Sequence, residues 1–427
     1  MTDPQPFAGL EVVEFGQFIA VPYCGQLLAD GGAHVIKVET LTGDPVRALA
    51  PLAPGESRHF ISRNRGKHSL PLDLKHPRAA GIIDELVARA DVVLTNLRPG
   101  LAAELGLDHT TLSARHPRLI VGNVSAFGPR GPDAGLGGMD MVIQARTGLM
   151  VSAGRLRDGV PQAVDPPITD YYCATALAFG IAAALLRRTR TGRGGEVDVS
   201  LLISSLVLQN NAMVRVHRAD GARHEATLTQ LAGMRAAGAP FEEQAALNVT
   251  PRPANTQNIY YRTYATKDAA IAVACVGPGM QRAFMRALEL TDEAHQGRPV
   301  PADVFERYYT DLGRRAEAVV RQRTTAEWRK IFDAVGIPAG EVRLPIEMLD
   351  DPQVLANEMV YDLDHPAIGP VRAVAPPVKM DAGGFRPSPA TPPFGSEARA
   401  ILRSLGFAES DVETFVAEGV TRERLGE

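Results

Sequence analysis

Over the first half of the chain, short apolar runs bounded by glycine or polar residues alternate with segments whose apolar positions recur every three or four residues. Leu10–Phe15 (LEVVEF), Ala33–Val38 (AHVIKV), Asp91–Thr95 (DVVLT) and Leu119–Val124 (LIVGNV) read as buried strands, with Ser69–Leu72 a shorter one. Between them Pro22–Asp30, Pro77–Ala90, Leu101–Leu107 and Thr110–Arg115 carry the helical period. Strands and helices in that order predict an open parallel sheet covered on both faces, the plan of a Rossmann-like α/β domain. Ligands of such sheets bind beyond the C-terminal ends of the strands. The loops Gly16–Pro22, Glu39–Asp44, Asn96–Gly100 and Ser125–Pro132 are therefore the expected site.

Pro166–Leu202 has a different pattern. Tyr171–Leu186 carries no charge, and its mostly small side chains predict a core helix buried on every side and too short to span a bilayer. Arg187, Arg188 and Arg190 suit its last turn, Thr191–Gly195 ends it, and Glu196–Leu202 reads as a strand. Asp170 stands at the mouth of this helix. There a carboxylate serves either as an N-cap or as a nucleophile or base whose pKa the apolar surroundings shift, and position along the chain supports both. Upstream, Arg130–Leu149 is glycine-rich and then helical. Its Asp140 lies just inside a helix start, suited to capping or to supplying a second carboxylate.

The second half changes character. Leu206–Asn255 is rich in Ala, Gln and Arg without a clean period and reads as helix plus a long connection. Asn258–Tyr264 and Ala269–Val276 predict a hairpin turning at Ala265–Asp268, with helices at Gly279–Leu288, Val304–Arg321 and Thr325–Ala334. Asp350–Gly395 is Pro-rich and reads as irregular, and Glu397–Leu405 and Ser410–Glu418 as terminal helices. The predicted division is a large α/β domain over 1–205, a connection over 206–255, a smaller α+β domain over 256–325 and a return to the large domain over 326–427.

Composition narrows the function. With 427 residues, 45% hydrophobic and 22% charged, the chain has the make-up of a folded protein of two domains. A net charge of −4 with no basic stripe argues against nucleic acid as a partner. The opening MTDPQPFAGL has an acid and two prolines where a signal peptide carries basic and apolar residues, so a cytoplasmic protein without a membrane partner is expected. Cys24, Cys173 and Cys275 form no CxxC, and the histidines form no HxxxH or HExxH, so no metal site is expected. The β-loops lack GxGxxG, which disfavours a nicotinamide cofactor, and Gly66–His68 (GKH) lacks most of a Walker loop. Lys75 and Arg98 are cations near the loops that can meet phosphates.

Taken in order, these segments resemble the family III CoA-transferases, the group of formyl-CoA transferase, carnitine CoA-transferase and 2-methylacyl-CoA racemase. The resemblance covers Glu14–Glu39, GDPVR at Gly43–Arg47, NRGKHSLPLDLK at Asn64–Lys75, ADVVLTNLRPG at Ala90–Gly100 and Asp170–Leu202, with echoes at Gly336–Val342 and Asp350–Gln353. It implies that Asp170 aligns with the family's catalytic aspartate and that Asp140 assists it. It implies further that CoA is held around Phe18, Ile19 and Ala20, by Leu72 and Lys75, and by Asn96, Leu97 and Arg98, with Met139 beside them. An interlocked homodimer is implied too, as are acyl-CoA and a carboxylic acid as substrates with no permanently bound cofactor.

In that chemistry an aspartate attacks an acyl-CoA, and an aspartyl-CoA thioester passes CoA to an acceptor acid. The alternative within the family is an acyl-CoA racemase or isomerase. Racemases place a His before the residue matching Asp140, where this chain has Met139, so one base is missing. Glu104 and Thr40 stand where formyl-CoA transferase has arginines, and no GGGG run lies between Gly221 and Gly277, which argues against formyl and oxalyl substrates. A CoA-binding dimer without catalysis is the remaining reading, disfavoured by Asp170.

Overall fold

In the computed structural model, residues 3–248 and 259–425 are described. They belong to two compact units, one of Met1–Asn248 with Pro352–Glu427 and one of Val249–Asp351. Residues 249–255 of the expected connection, residues 256–258 at the start of the expected small domain, and the first residue of the expected Asn258–Tyr264 strand lie outside the described residues.

The larger unit is built on six strands: β1 (Glu11–Phe15), β2 (His34–Glu39), β3 (Lys67–Pro71), β4 (Val92–Thr95), β5 (Ile120–Ser125) and β6 (Gly195–Ser200). All neighbours pair in parallel, in the order β6-β5-β4-β1-β2-β3. The order reverses between β1 and β4, the switch point at which doubly wound sheets bind ligands. On one face Val13, Ile36, Leu70, Val93 and Val121 pack against α3 (Ala79–Arg89) and the C-terminal helices α13 (Ala398–Ser404) and α14 (Glu409–Ala417). On the other Val12, Val35, Val92, Leu94 and Ile120 pack against α1 (Ala20–Asp30) and α7 (Ile168–Thr191). Shorter helices complete the half: α2 (Arg58–Asn64), α4 (Pro99–Glu104), α5 (His109–Arg115) and α6 (Asp140–Thr147).

Three expectations change. Helix α7 is 24 residues long, enough by length and composition to cross a membrane, but it lies against the sheet through Cys173, Ala174, Leu177, Ile181 and Ala184. Nor is it buried all round: Tyr172, Phe179 and Leu186 are exposed on its outer face. One stripe of small residues suffices to seat a helix on a sheet, and uniform apolarity hides which stripe is used. Leu201 and Leu202 open α8 (Leu201–Leu208) rather than ending β6, because Ser200 caps that helix through the Ile203 N–H (3.2 Å). The Pro-rich stretch contains a hairpin, β10 (Val360–His365) with β11 (Gly369–Val374), in which Asp, His, Gly and Pro interrupt both faces and leave no clean apolar alternation.

The connection contains α9 (His217–Ala236), a helix with no buried residue. In the smaller unit β7 (Tyr261–Ala265), β8 (Ala270–Ala274) and β9 (Ala339–Glu341) form an antiparallel sheet under α10 (Pro278–Ala287), α11 (Phe305–Val320) and α12 (Thr325–Ala334). Trp328, Phe332 and Ile337 are part of this unit's core, so residues 326–351, read as returning to the large domain, pack here, and the return follows at Pro352.

Candidate active site

Pro167 precedes α7 and has no side chain that can cap it. The cap comes from elsewhere: Asp140, first residue of α6 and almost wholly buried, accepts the Thr169 N–H at 2.9 Å. Its other oxygen accepts from Gln144 Nε2, and Gln144 in turn takes the Val164 N–H at 2.8 Å and donates to the Val164 carbonyl at 3.1 Å. Asp140 is thus spent on joining the starts of two helices. Asp170, one residue beyond the capped amide, is half-buried and accepts no hydrogen bond from any described residue. Burial pushes its carboxyl up to about 7, the negative charge of Asp140 adds to the rise, and the Arg63 guanidinium opposes it.

Arg63 reaches this point from α2. Its Nε donates to the Tyr171 hydroxyl at 3.2 Å and its Nη1 to the His59 carbonyl at 3.2 Å, with the guanidinium 5.8 Å from the Tyr171 ring centre. The Tyr171 ring meets Tyr23 of α1 edge-on at 5.0 Å. One turn along the helix, burial holds the Cys173 thiol up at about 12, so it is not a ready nucleophile.

The loops expected to hold CoA converge here in part. Asn96 takes the Gln17 N–H at 3.1 Å and donates to the Gln17 carbonyl at 2.8 Å, which staples the β4 loop to the β1 loop across the switch point. Phe18 is held at a left-handed φ of 67° while its N–H donates to Asp44 Oδ1 at 3.3 Å. Ile19 precedes α1 and Ala20 opens it, buried. Leu97 donates its N–H to Thr95 Oγ1 at 3.0 Å and packs on the core, whereas Arg98 is exposed and faces Gly137 in the loop leading to Asp140. Met139 is half exposed at the same loop. Leu72 and Lys75 stand apart, at the end of β3: the Leu72 side chain is spent in the core and its N–H donates to the Glu39 carbonyl at 2.8 Å, while Lys75 is exposed.

Beneath the β1 loop lies a buried charge cluster that the strand patterns did not reveal. Glu14 sits between Lys37 Nζ at 2.9 Å and Lys67 Nζ at 2.8 Å, and Lys37 also meets Asp44 at 3.0 Å. Lys37 donates to the Gly16 carbonyl at 2.6 Å and Lys67 to the Pro22 carbonyl at 2.7 Å, so the cluster grips both ends of the loop. Burial drags Lys67 down to about 8, while at Lys37 the same penalty is outweighed by Glu14, Asp44 and Glu39, and the pKa rises. The available signal was Glu14 and Lys37 standing at the C-terminal ends of otherwise apolar strands.

The profile of CoA-transferase family III matches residues 7–398. The chain belongs to this family. A cinnamoyl-CoA:phenyllactate CoA-transferase of Clostridium sporogenes is 28% identical over 95% of each chain. A succinyl-CoA–D-citramalate CoA-transferase of Chloroflexus aurantiacus is 30% identical over 98% of each. The crystal structure of a CAIB/BAIF family protein from Brucella suis superposes with a TM-score of 0.73 at 26% identity, covering 94% of this chain and 100% of that one. The protein is accordingly a family III CoA-transferase with the α/β fold of that family.

Proposed function

We propose that this CoA-transferase moves CoA from an acyl-CoA to a carboxylic acid through a thioester on Asp170. The observation that carries the reading is a carboxylate with no hydrogen-bond partner among the described residues, pushed up to about 7, at the tip of a helix whose cap is supplied by a second carboxylate. A more basic carboxylate is a stronger nucleophile. Its oxygen attacks the acyl carbonyl and CoA thiolate leaves, giving an acyl-aspartyl anhydride. The thiolate then attacks the aspartyl carbonyl and the acid departs as carboxylate. The acceptor's carboxylate reverses these two steps, so bonds and charge balance without a net proton. The positive dipole ends of α7 and α1 suit the oxyanions and the CoA phosphates. Racemisation is disfavoured because it needs a second base, and Met139 offers none while both Asp140 oxygens are engaged.

We further propose a homodimer. Tyr172, Phe179 and Leu186 recur every seven residues along the open face of α7, and Ile203, Val207 and Leu208 are exposed on α8. An apolar surface of this kind fits a second copy of the chain.

Replacing Asp170 by Ala should lower transfer at least about a thousandfold while leaving CoA binding intact, by analogy with the loss of an essential catalytic group. Mass spectrometry of wild-type protein treated with acyl-CoA and then hydroxylamine should find a hydroxamate on the peptide bearing Asp170. Transfer retained in the Ala variant would overturn the proposal.

A further inference from the structure

Arg63 is buried to 7% exposure, and it forms no ion pair with any described residue. Two of its N–H groups are fixed by neutral acceptors, the Tyr171 hydroxyl and the His59 carbonyl, and the rest find no described acceptor. Withdrawing a guanidinium from water without an anion near it is strongly unfavourable. Such a group is stable only where an anion lies near it, and Asp170 is a carboxylate whose ionisation it favours. Asp140 is not that anion, since its oxygens are committed to Thr169 and Gln144.

We propose that Arg63 binds the reacting carboxylate of the free acid, both the one released from the donor and the one that arrives as acceptor. The proposal rests on the transferase reading and adds the residue that recognises the acid. Before each cycle the charge of Arg63 is matched by ionised Asp170, the residue preceding the tyrosine on which it rests. Once Asp170 is held as a thioester it is neutral, and the guanidinium has lost its partner. An incoming carboxylate restores the balance at the place where its oxygen must attack. The unused N–H groups at the far edge of the guanidinium suit a planar carboxylate, which a single ammonium cannot match in geometry. As transfer is completed, Asp170 becomes anionic again, the acid leaves as a neutral acyl group on CoA, and Arg63 regains its first partner. The site therefore selects carboxylates in the acid position, and the cation alternates between two anions.

The test varies donor and acceptor independently in wild type, Arg63→Met and Arg63→Lys. The Met variant should raise the KM for the acid about tenfold or more, leave the KM for acyl-CoA within about twofold, and still accumulate the hydroxylamine-sensitive adduct on Asp170. The Lys variant should recover part of the loss, since charge returns without the fork. Acetate or propionate should compete with the acceptor in wild type and inhibit the Met variant only weakly. An unchanged acid KM in a folded Met variant overturns the proposal. A rise confined to acyl-CoA also overturns it and assigns Arg63 to the CoA side. If the Met variant does not fold, the same comparison on Arg63→Lys decides, because an acid KM equal to wild type there leaves the guanidinium without the role. Absence of any adduct in wild type would instead remove the transferase mechanism itself, a separate outcome.

Discussion

At Asp170 two effects point the same way and one opposes them. Withdrawal from water and the neighbouring Asp140 charge raise the carboxyl to about 7, and Arg63 limits the rise. If Asp170 is the nucleophile proposed above, its reactive form is the carboxylate, so transfer should fall as pH drops through about 7, with an acid limb near that value in a pH–rate profile. Asp140→Ala removes both the like charge and the cap on the Thr169 N–H. Its acid limb should therefore move to lower pH, while thermal or urea unfolding reports a loss of about 1 kcal/mol. A limb that stays in place would mean that the Asp140 charge does not contribute and that burial and Arg63 set the Asp170 ionisation. Asp170 was legible from the sequence as a carboxylate at a helix start, but its role as cap or nucleophile was not. The cap turned out to be a residue thirty positions upstream, and local position carries no signal of that.

Among elements, the contact that positions the β1 loop is the close approach of α1 to β1. A Cβ on Gly25 of α1 would lie 2.0 Å from Glu14 Oε2 and 3.2 Å from Lys67 Cε. Glu14 cannot swing aside without depriving buried Lys67 of its carboxylate and leaving Lys37 to Asp44 alone. Gly25→Ala should therefore destabilise the protein by about 3 kcal/mol, comparable to breaking a buried ion pair, read as a lower urea midpoint. It should also weaken CoA binding, because the same cluster holds the Gly16 and Pro22 carbonyls and, through Asp44, the left-handed Phe18. A variant of wild-type stability would show that the helix can retreat without disturbing the charges. The strands and helices of this half follow their hydrophobic periods within a few residues, since each buries one face or stripe on the same sheet. The β10–β11 hairpin escaped because neither of its faces is consistently apolar.

For the molecule as a whole, α7 presents one stripe to the sheet and another outward. If the outward stripe meets a second copy, Phe179→Asp places a charge in that interface. Wild-type protein at micromolar concentration should sediment as a dimer in analytical ultracentrifugation, and the Asp variant should shift towards monomer. A monomeric wild type would remove the homodimer and leave the stripe for another partner. The expected fully buried helix reflected its uniform lack of charge, a property that cannot tell a helix enclosed by one chain from one shared between two.

By itself the sequence determined the alternation of elements, the parallel α/β plan, the loops at the strand ends and the carboxylate at position 170, because periodicity and turn chemistry are local properties. Only the tertiary structure decided that Asp140 caps α7 from another helix, that Glu14, Lys37, Asp44 and Lys67 meet beneath the β1 loop, and that Arg63 arrives beside Asp170 with no hydrogen-bonded carboxylate among the described residues. These are contacts between residues far apart along the chain, and their energies depend on burial and on partners that no local pattern encodes.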